Sequence, residues 1–257
     1  MKKYDTLYAA GCSFTWHRPL RLEETWPYHL HRRMGIKNLI NNGVGGGSNY
    51  KIFRRTEEYF RTNKNTSNTL AVIQLTNPLR FETYDDKFSH IKKYTEENWM
   101  DHIATHVGHN RKTLLGAADQ LMKKNDDTPP HKKLAIQLLE ARIPVWNETY
   151  EFYTYLQQIY SIDAIFKKYG VDVYYMNYHT LKYYSAQRTQ ILSDSFNWIG
   201  GNFDSGNIVS VGDFIDHNQP FGLRPNLYIS ETDHHPNSAG NNQLSKFIFE
   251  WIKNNPL

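Results

Sequence analysis

A chain of 257 residues is long enough to bury a full core and fits one large domain, 1–257, better than two small ones. Its formal charge of +4 and pI near 8.9 are only mildly basic, which argues against a dedicated nucleic-acid surface; pairs such as Arg32-Arg33, Arg54-Arg55 and Lys132-Lys133 suit solvated helix faces. One cysteine excludes an internal disulfide, and the start Met1-Lys2-Lys3-Tyr4 and the lack of any membrane-length apolar run lead us to expect a cytoplasmic protein with no membrane partner.

The first predicted strand is Tyr4-Asp5-Thr6-Leu7-Tyr8-Ala9-Ala10, in which alternate residues are apolar or β-branched. Gly11-Cys12-Ser13-Phe14-Thr15 follows it. A glycine closing the first strand of an α/β chain permits a tight turn, so the next hydroxyl lies at the carboxyl edge of the sheet, where such folds bind ligands. Ser13 is therefore the candidate nucleophile; the competing explanation is a helix-capping serine beside a buried thiol. Cys12 is a weaker alternative nucleophile, because along a strand it faces away from Ser13.

Pro19 to Glu24 reads as a loop, and Thr25 is placed to cap a helix with Pro27 in its first turn and Gly35 as its stop. A short strand, Asn38 to Asn41, leads into Asn42-Gly43-Val44-Gly45-Gly46-Gly47-Ser48-Asn49 and a helix through about Phe60. Four glycines within residues 43–47 imply a backbone that approaches something closely or takes positive φ. A dinucleotide fingerprint is disfavoured because its last glycine is missing, and a P-loop is excluded because no Gly-Lys-Ser/Thr follows. An amide donor to an oxyanion at the head of a helix fits the stretch better than a plain flexible turn. No cofactor site is expected.

Thr69 to Leu75 is the clearest buried strand, ending in Thr76-Asn77-Pro78-Leu79-Arg80. Asn77 can aim its amide at the edge that carries Ser13, or form an ordinary Asx turn before proline; Arg80, on the same segment, is a candidate substrate-binding residue. Residues 83–144 read as a helical insertion, with Phe88 to Val107, Arg111 to Lys124 and Lys132 to Arg142 as its helices. In it, His102, His106 and His109 would share one helical face; a solvated or pocket-facing stripe is favoured over a metal site there. Trp146 to Lys168 is an amphipathic helix stopped by Gly170, Val171 to Asn177 a fourth strand, and Ile208 to Val211 a short fifth. Tyr178-His179 and the turn at Trp198-Ile199-Gly200-Gly201 are assigned to a pocket rim. Strands alternating with helices predict a three-layer, flavodoxin-like α/β/α fold around a parallel sheet of about five strands.

At the far end, Asp233-His234-His235-Pro236-Asn237 precedes an amphipathic terminal run through Leu244, Phe247, Ile248, Trp251 and Ile252. A carboxylate and an imidazole on one loop are what a weak serine nucleophile needs, the imidazole to take its proton and the carboxylate to fix the tautomer. Gly11-x-Ser13-x-Thr15, Gly46, Asn77 and Asp233-x-His235-Pro236 together resemble, in order and in position on strand ends, the four blocks of the SGNH (GDSL-like) hydrolase superfamily, over residues 4–82 and about 226–253. Two blocks depart from the pattern: Cys12 stands where the family has aspartate, and Thr76-Asn77-Pro78 replaces its asparagine block. The family also places its aspartate three residues before the histidine, where this chain has Thr232.

The resemblance implies an esterase in which Ser13 is the nucleophile and His235 the base. Asp233, or failing it Thr232, would orient the base. Oxyanion donors would be the Ser13 and Gly46 amides and the Asn77 side chain. A serine esterase acting on a small-molecule or carbohydrate ester, such as a sugar O-deacetylase, suits the 14% aromatic content. The alternatives are an O-acyltransferase using the same groups and a non-catalytic flavodoxin-like binding protein.

Overall fold

The computed structural model describes residues 2–16, 20–45, 47–63, 66, 68–76, 81–84, 99–102, 148–177, 186–200, 225–230, 233 and 235–257. Strand β1 (Thr6–Gly11) is followed by α1 (Trp26–Met34), β2 (Asn38–Gly43), α2 (Asn49–Thr62) and β3 (Thr69–Leu75). A two-stranded antiparallel pair, β4 (Phe81–Tyr84) and β5 (Trp99–His102), precedes α3 (Glu148–Tyr169), β6 (Asp172–Asn177), α4 (Ala186–Ser195) and the terminal α5 (Ser238–Asn254). The main sheet has the order β2-β1-β3-β6 and every pairing in it is parallel.

Helices cover both faces of this sheet, so its inner strands are apolar on both sides rather than alternating with polar residues. Leu7 and Ala9 of β1, Leu70 and Val72 of β3, and Tyr174 and Met176 of β6 pack on one face with Trp26 and Leu30 of α1 and Leu244, Ile248 and Ile252 of α5. Tyr8 and Ala10, Ala71 and Ile73, and Val173 and Tyr175 pack on the other, with Ile52 and Phe60 of α2 and Phe152, Ile159 and Phe166 of α3. Helices α1 and α3 stop where the sequence places their glycines, Gly35 and Gly170, both in the left-handed conformation at φ 63°.

The α/β architecture agrees with expectation, with four described strands in the main sheet instead of about five. The predicted fifth strand, Ile208 to Val211, lies outside the described residues, as do 85–98 and 103–144 of the insertion with His106, His109 and its later helices. Within the insertion, the helix predicted over Phe88 to Val107 is corrected by β5: His102 ends a strand paired with Phe81, and strand periodicity breaks the proposed histidine face at its first member. Tyr178 and His179 are outside the described residues too. The Trp198 turn is corrected from rim to core. Trp198 is 8% exposed, its indole Nε1 donates to Leu192 O at 2.9 Å, and its backbone bridges Tyr175 in parallel at the open side of β6.

Candidate active site

The nucleophile candidate sits in a turn rather than on a helix. Thr15 N donates to Cys12 O at 2.9 Å, which closes a turn with Ser13 and Phe14 at its corner, and Trp16 N reaches the same carbonyl at 3.3 Å. Thr15 folds back beneath the turn. A Cβ on Gly11 would lie 2.2 Å from Thr15 Oγ1 and 2.8 Å from Gln74 Cβ, and one on Gly43 would lie 2.7 Å from Thr15 Cγ2. These two glycines are register partners on β1 and β2, so the carboxyl ends of both strands are left bare to admit one threonine. The need at Gly11 is space, since among the described residues the positive-φ glycines are Gly35, Gly170 and Gly200.

The base candidate sits on a small antiparallel loop built just before α5. Asn237 N donates to Leu227 O and Ile229 N to His235 O, both at 2.9 Å, on either side of a bridge between Tyr228 and Pro236. Asn237 then caps α5, accepting from Gly240 N at 3.0 Å, while its Nδ2 donates to Asn226 O and Tyr228 O at 2.9 Å each. Asn241, one turn into α5, donates to Pro236 O at 2.8 Å and accepts from Trp26 N at 3.1 Å, so the histidine loop and the head of α1 share one buried amide. That contact replaces the predicted cap at Thr25, whose hydroxyl donates instead to Leu22 O at 2.7 Å.

These two segments meet. His235 Nε2 lies 2.8 Å from Ser13 Oγ, and His235 Nδ1 lies 2.5 Å from Asp233 Oδ1. Ser13, His235 and Asp233 form one hydrogen-bonded chain across 222 residues of sequence. Asp233 accepts both from the ring and from the His235 backbone N–H, at 3.1 Å, which orients the imidazole from two sides. With Nδ1–H directed at a carboxylate, Nε2 presents its lone pair to the serine hydroxyl. Phe14 stacks on the imidazole at 4.4 Å between centroids and an interplanar angle of 29°. The side chains of His235 and Asp233 keep 22% and 32% exposure, so the chain is open to solvent and substrate.

Beside Ser13 and His235 lies an open depression lined by Phe14, Trp16, Leu20 and Pro236, with Trp16 42% exposed. Its described lining carries no acidic or basic side chain besides the histidine. Gly46, Asn77, Arg80 and Thr232 lie outside the described residues. The residues flanking the first two are well anchored. Asn49, first residue of α2, accepts from Thr76 N and donates to Thr76 O, each at 2.9 Å, and also donates to Gln158 Oε1 at 2.8 Å. The neighbouring Ser48 caps α2 by accepting from Lys51 N at 3.1 Å. Cys12 is fully buried against Gln74, but not by the strand alternation expected of it: it lies in the turn beyond β1 and packs in the α1 and α5 face with Leu7, Ala9 and Phe14. Among the described residues no group of three metal-ligating side chains converges, and no helix is long and apolar enough to cross a membrane.

Sequence reasoning singled out neither Gln74, Asn49 nor Asn241. Only Gln74 had a signal: it is the one amide in Thr69-Leu-Ala-Val-Ile-Gln-Leu75, and a polar residue in a fully buried strand needs a partner.

No protein-family model matches the chain, and no curated protein sequence matches it. Among solved structures it is similar to the lipase Lip_vut3 from a goat rumen metagenome, at 14% identity over 95% of both chains with a TM-score of 0.46. It is similar to a member of the lipolytic protein G-D-S-L family from Veillonella parvula, at 11% identity over 98% of this chain and 97% of that one, TM-score 0.33. The psychrotrophic esterase EstA from Pseudoalteromonas sp. aligns at 12% identity over 97% of each chain, TM-score 0.33.

Proposed function

We propose that the chain is a serine hydrolase of SGNH type that cleaves ester bonds. The observation that carries this is the run Ser13 Oγ, His235 Nε2, His235 Nδ1 and Asp233 Oδ1, with contacts of 2.8 and 2.5 Å on the two sides of the ring. In the reaction, Ser13 Oγ attacks the acyl carbonyl as its proton passes to Nε2, and Asp233 stabilises the imidazolium that forms. The imidazolium then protonates the departing alcohol. Water, deprotonated in turn by His235, attacks the acyl-serine and releases the acid. The tetrahedral oxyanion is assigned to the Ser13 amide, the Gly46 amide at the head of α2 and the Asn77 side chain, where loss of one donor costs about 3 kcal/mol.

The substrate proposed is a short acyl ester of a sugar or comparable polar alcohol. An exposed indole at Trp16 beside the nucleophile supplies a flat apolar face of the kind that packs on a sugar ring, and the uncharged depression suits a small acyl group. Arg80 is assigned to the alcohol side, and a single domain and a cytoplasmic setting complete the proposal. A fluorophosphonate probe tests the nucleophile directly: one adduct on wild type, mapped to Ser13 and absent from Ser13→Ala, is expected, and an unlabelled wild type or an equally labelled Ser13→Ala rejects it. Acetate release from a panel of acetylated sugars and p-nitrophenyl esters then tests the acyl and alcohol preference. Turnover requires neutral His235, because only the unprotonated imidazole accepts the serine proton.

A further inference from the structure

The turn that bears Ser13 is held by a residue outside every block the sequence comparison used. Gln74 is the last residue of β3 to face α1 and α5, at the level where β1 and β2 end in glycine, and it is fully buried. Its Oε1 accepts from Thr15 Oγ1 at 3.0 Å and from Cys12 N at 3.3 Å, with Cys12 Sγ at 3.5 Å. Its Nε2 donates to Leu75 O at 3.0 Å and contacts Cys12 Sγ at 3.4 Å. A backbone N–H only donates, so Cys12 N fixes which end of the amide faces the turn.

Cys12 and Thr15 are the first and last residues of the Ser13 turn, and one side-chain oxygen from the adjacent strand therefore grips both ends of it. We propose that Gln74 is a positioning residue for the nucleophile, acting through Cys12 and Thr15 to hold Ser13 Oγ within reach of His235 Nε2. This rests on the assignment of Ser13 as nucleophile given above. The residue type follows from the site. A leucine or methionine would leave the Cys12 N–H and the Thr15 hydroxyl buried without an acceptor, and a glutamate would bury a charge and lose the donor to Leu75 O. The bare Gly11 belongs to the same device, because any Cβ there would meet both Thr15 and Gln74.

Misplacing a nucleophile by about 1 Å lowers reactivity on the order of 10²-fold, whereas a purely structural core residue lowers stability and leaves the folded enzyme's turnover intact. The test compares wild type, Gln74→Met, Thr15→Val, the Gln74→Met/Thr15→Val double variant and Thr15→Ser well below their melting temperatures. Readouts are fluorophosphonate labelling rate, kcat and KM on p-nitrophenyl acetate, and amide hydrogen exchange. Expected for Gln74→Met and Thr15→Val is a labelling rate and kcat lower by roughly 10²-fold, KM within about twofold and an unmoved pH midpoint. The double variant should be no slower than either single, and Thr15→Ser, which keeps the hydroxyl, should stay near wild type. Exchange at Cys12 and Thr15 should quicken at least tenfold while β3 amides stay protected. Labelling within threefold of wild type in folded Gln74→Met, or unchanged exchange at Cys12 and Thr15, overturns the proposal. Should Gln74→Met fail to fold, Thr15→Val and Thr15→Ser decide it by the same readouts. A wild type unlabelled at Ser13 removes the hydrolase assignment, and the exchange measurement still decides the clamp.

Discussion

Both faces of the main sheet are covered by a buried apolar cluster, but they use their polar groups differently. On the α1 and α5 face, buried amides point at loop backbone: Gln74 holds the Ser13 turn and Asn241 holds the histidine loop. On the α2 and α3 face, apart from Asn49, which holds the Thr76 backbone just past β3, buried hydroxyls point at other side chains. Tyr8 donates to Thr56 at 3.0 Å and accepts from Asn42 at 2.8 Å, and Tyr175 donates to Asp163 at 2.9 Å, within an aromatic cluster of Phe60, Phe152, Phe166 and Trp198. The first arrangement positions groups at the sheet edge, and the second specifies a core. Substitutions on the first face should therefore separate activity from stability, and substitutions on the second should not.

The largest effects are expected where the reacting atoms themselves are removed. Ser13→Ala and His235→Gln should each lower kcat by roughly 10⁴- to 10⁶-fold, with melting temperatures near wild type because both side chains lie at an open edge. Steady-state assays beside thermal unfolding check this, and a parallel collapse of folding would break the contrast between the faces. Asp233→Asn should cost less, roughly 10²- to 10⁴-fold. The amide leaves the imidazolium without a countercharge, but solvent at this 32% exposed carboxylate softens that loss. Restored turnover in a pH series would not be expected, since the missing carboxylate is not replaced by hydroxide.

How much of this was legible before any coordinates differs between the same two regions. The alternation of strands and helices, the span of β3 and the glycine stops at Gly35 and Gly170 were plain, because burial on two faces and left-handed caps leave strong local marks. Ser13, Asp233 and His235 stood out as chemistry-bearing residues near strand and helix ends, although only folding shows that 222 residues of chain return to bring them together. The partners of the supporting amides did not stand out, even where the amide itself, as at Gln74, interrupts a buried strand. Asn49, Gln74 and Asn241 each have non-local partners, 27 to 215 residues away, beside any local ones, and a lone amide in a sequence does not say what it will meet. The expected helix through His102 failed for a related reason: its strand pairing with Phe81, 21 residues earlier, is non-local and leaves no mark in the local spacing.

An intermediate effect is expected at Asn241. Asn241→Ala removes its bonds to Pro236 O, Asn237 O and Trp26 N, leaving buried backbone groups without partners, and should destabilise the protein by about 1–3 kcal/mol. It should also lower kcat by a modest factor, because the freed groups include the loop that carries His235. A change in stability alone, measured by denaturant unfolding alongside turnover, would place Asn241 with the residues of the opposite face.

The smallest effect belongs to that opposite face and is visible mainly at high pH. Burial is the main force pushing the Tyr8 phenol up to about 12, against the opposing influence of its hydrogen bonds with Asn42 and Thr56 and of the nearby Arg55 charge. A raised value means that the folded state holds this proton more tightly than the unfolded chain, whose tyrosines ionise near pH 10. The stabilising share of Tyr8 is thus complete below pH 10 and declines as pH rises from 10 through about 12. Tyr8→Phe loses the bonds to Thr56 and Asn42, about 1 kcal/mol at neutral pH, but should unfold less steeply over that alkaline interval. Urea midpoints at pH 8 and pH 11 check this, and turnover at pH 8 should be within about twofold of wild type, because Tyr8 faces away from the Ser13 turn. An equally steep alkaline loss in Tyr8→Phe would move the titration to Tyr155 or Tyr175, which burial on the same face also raises.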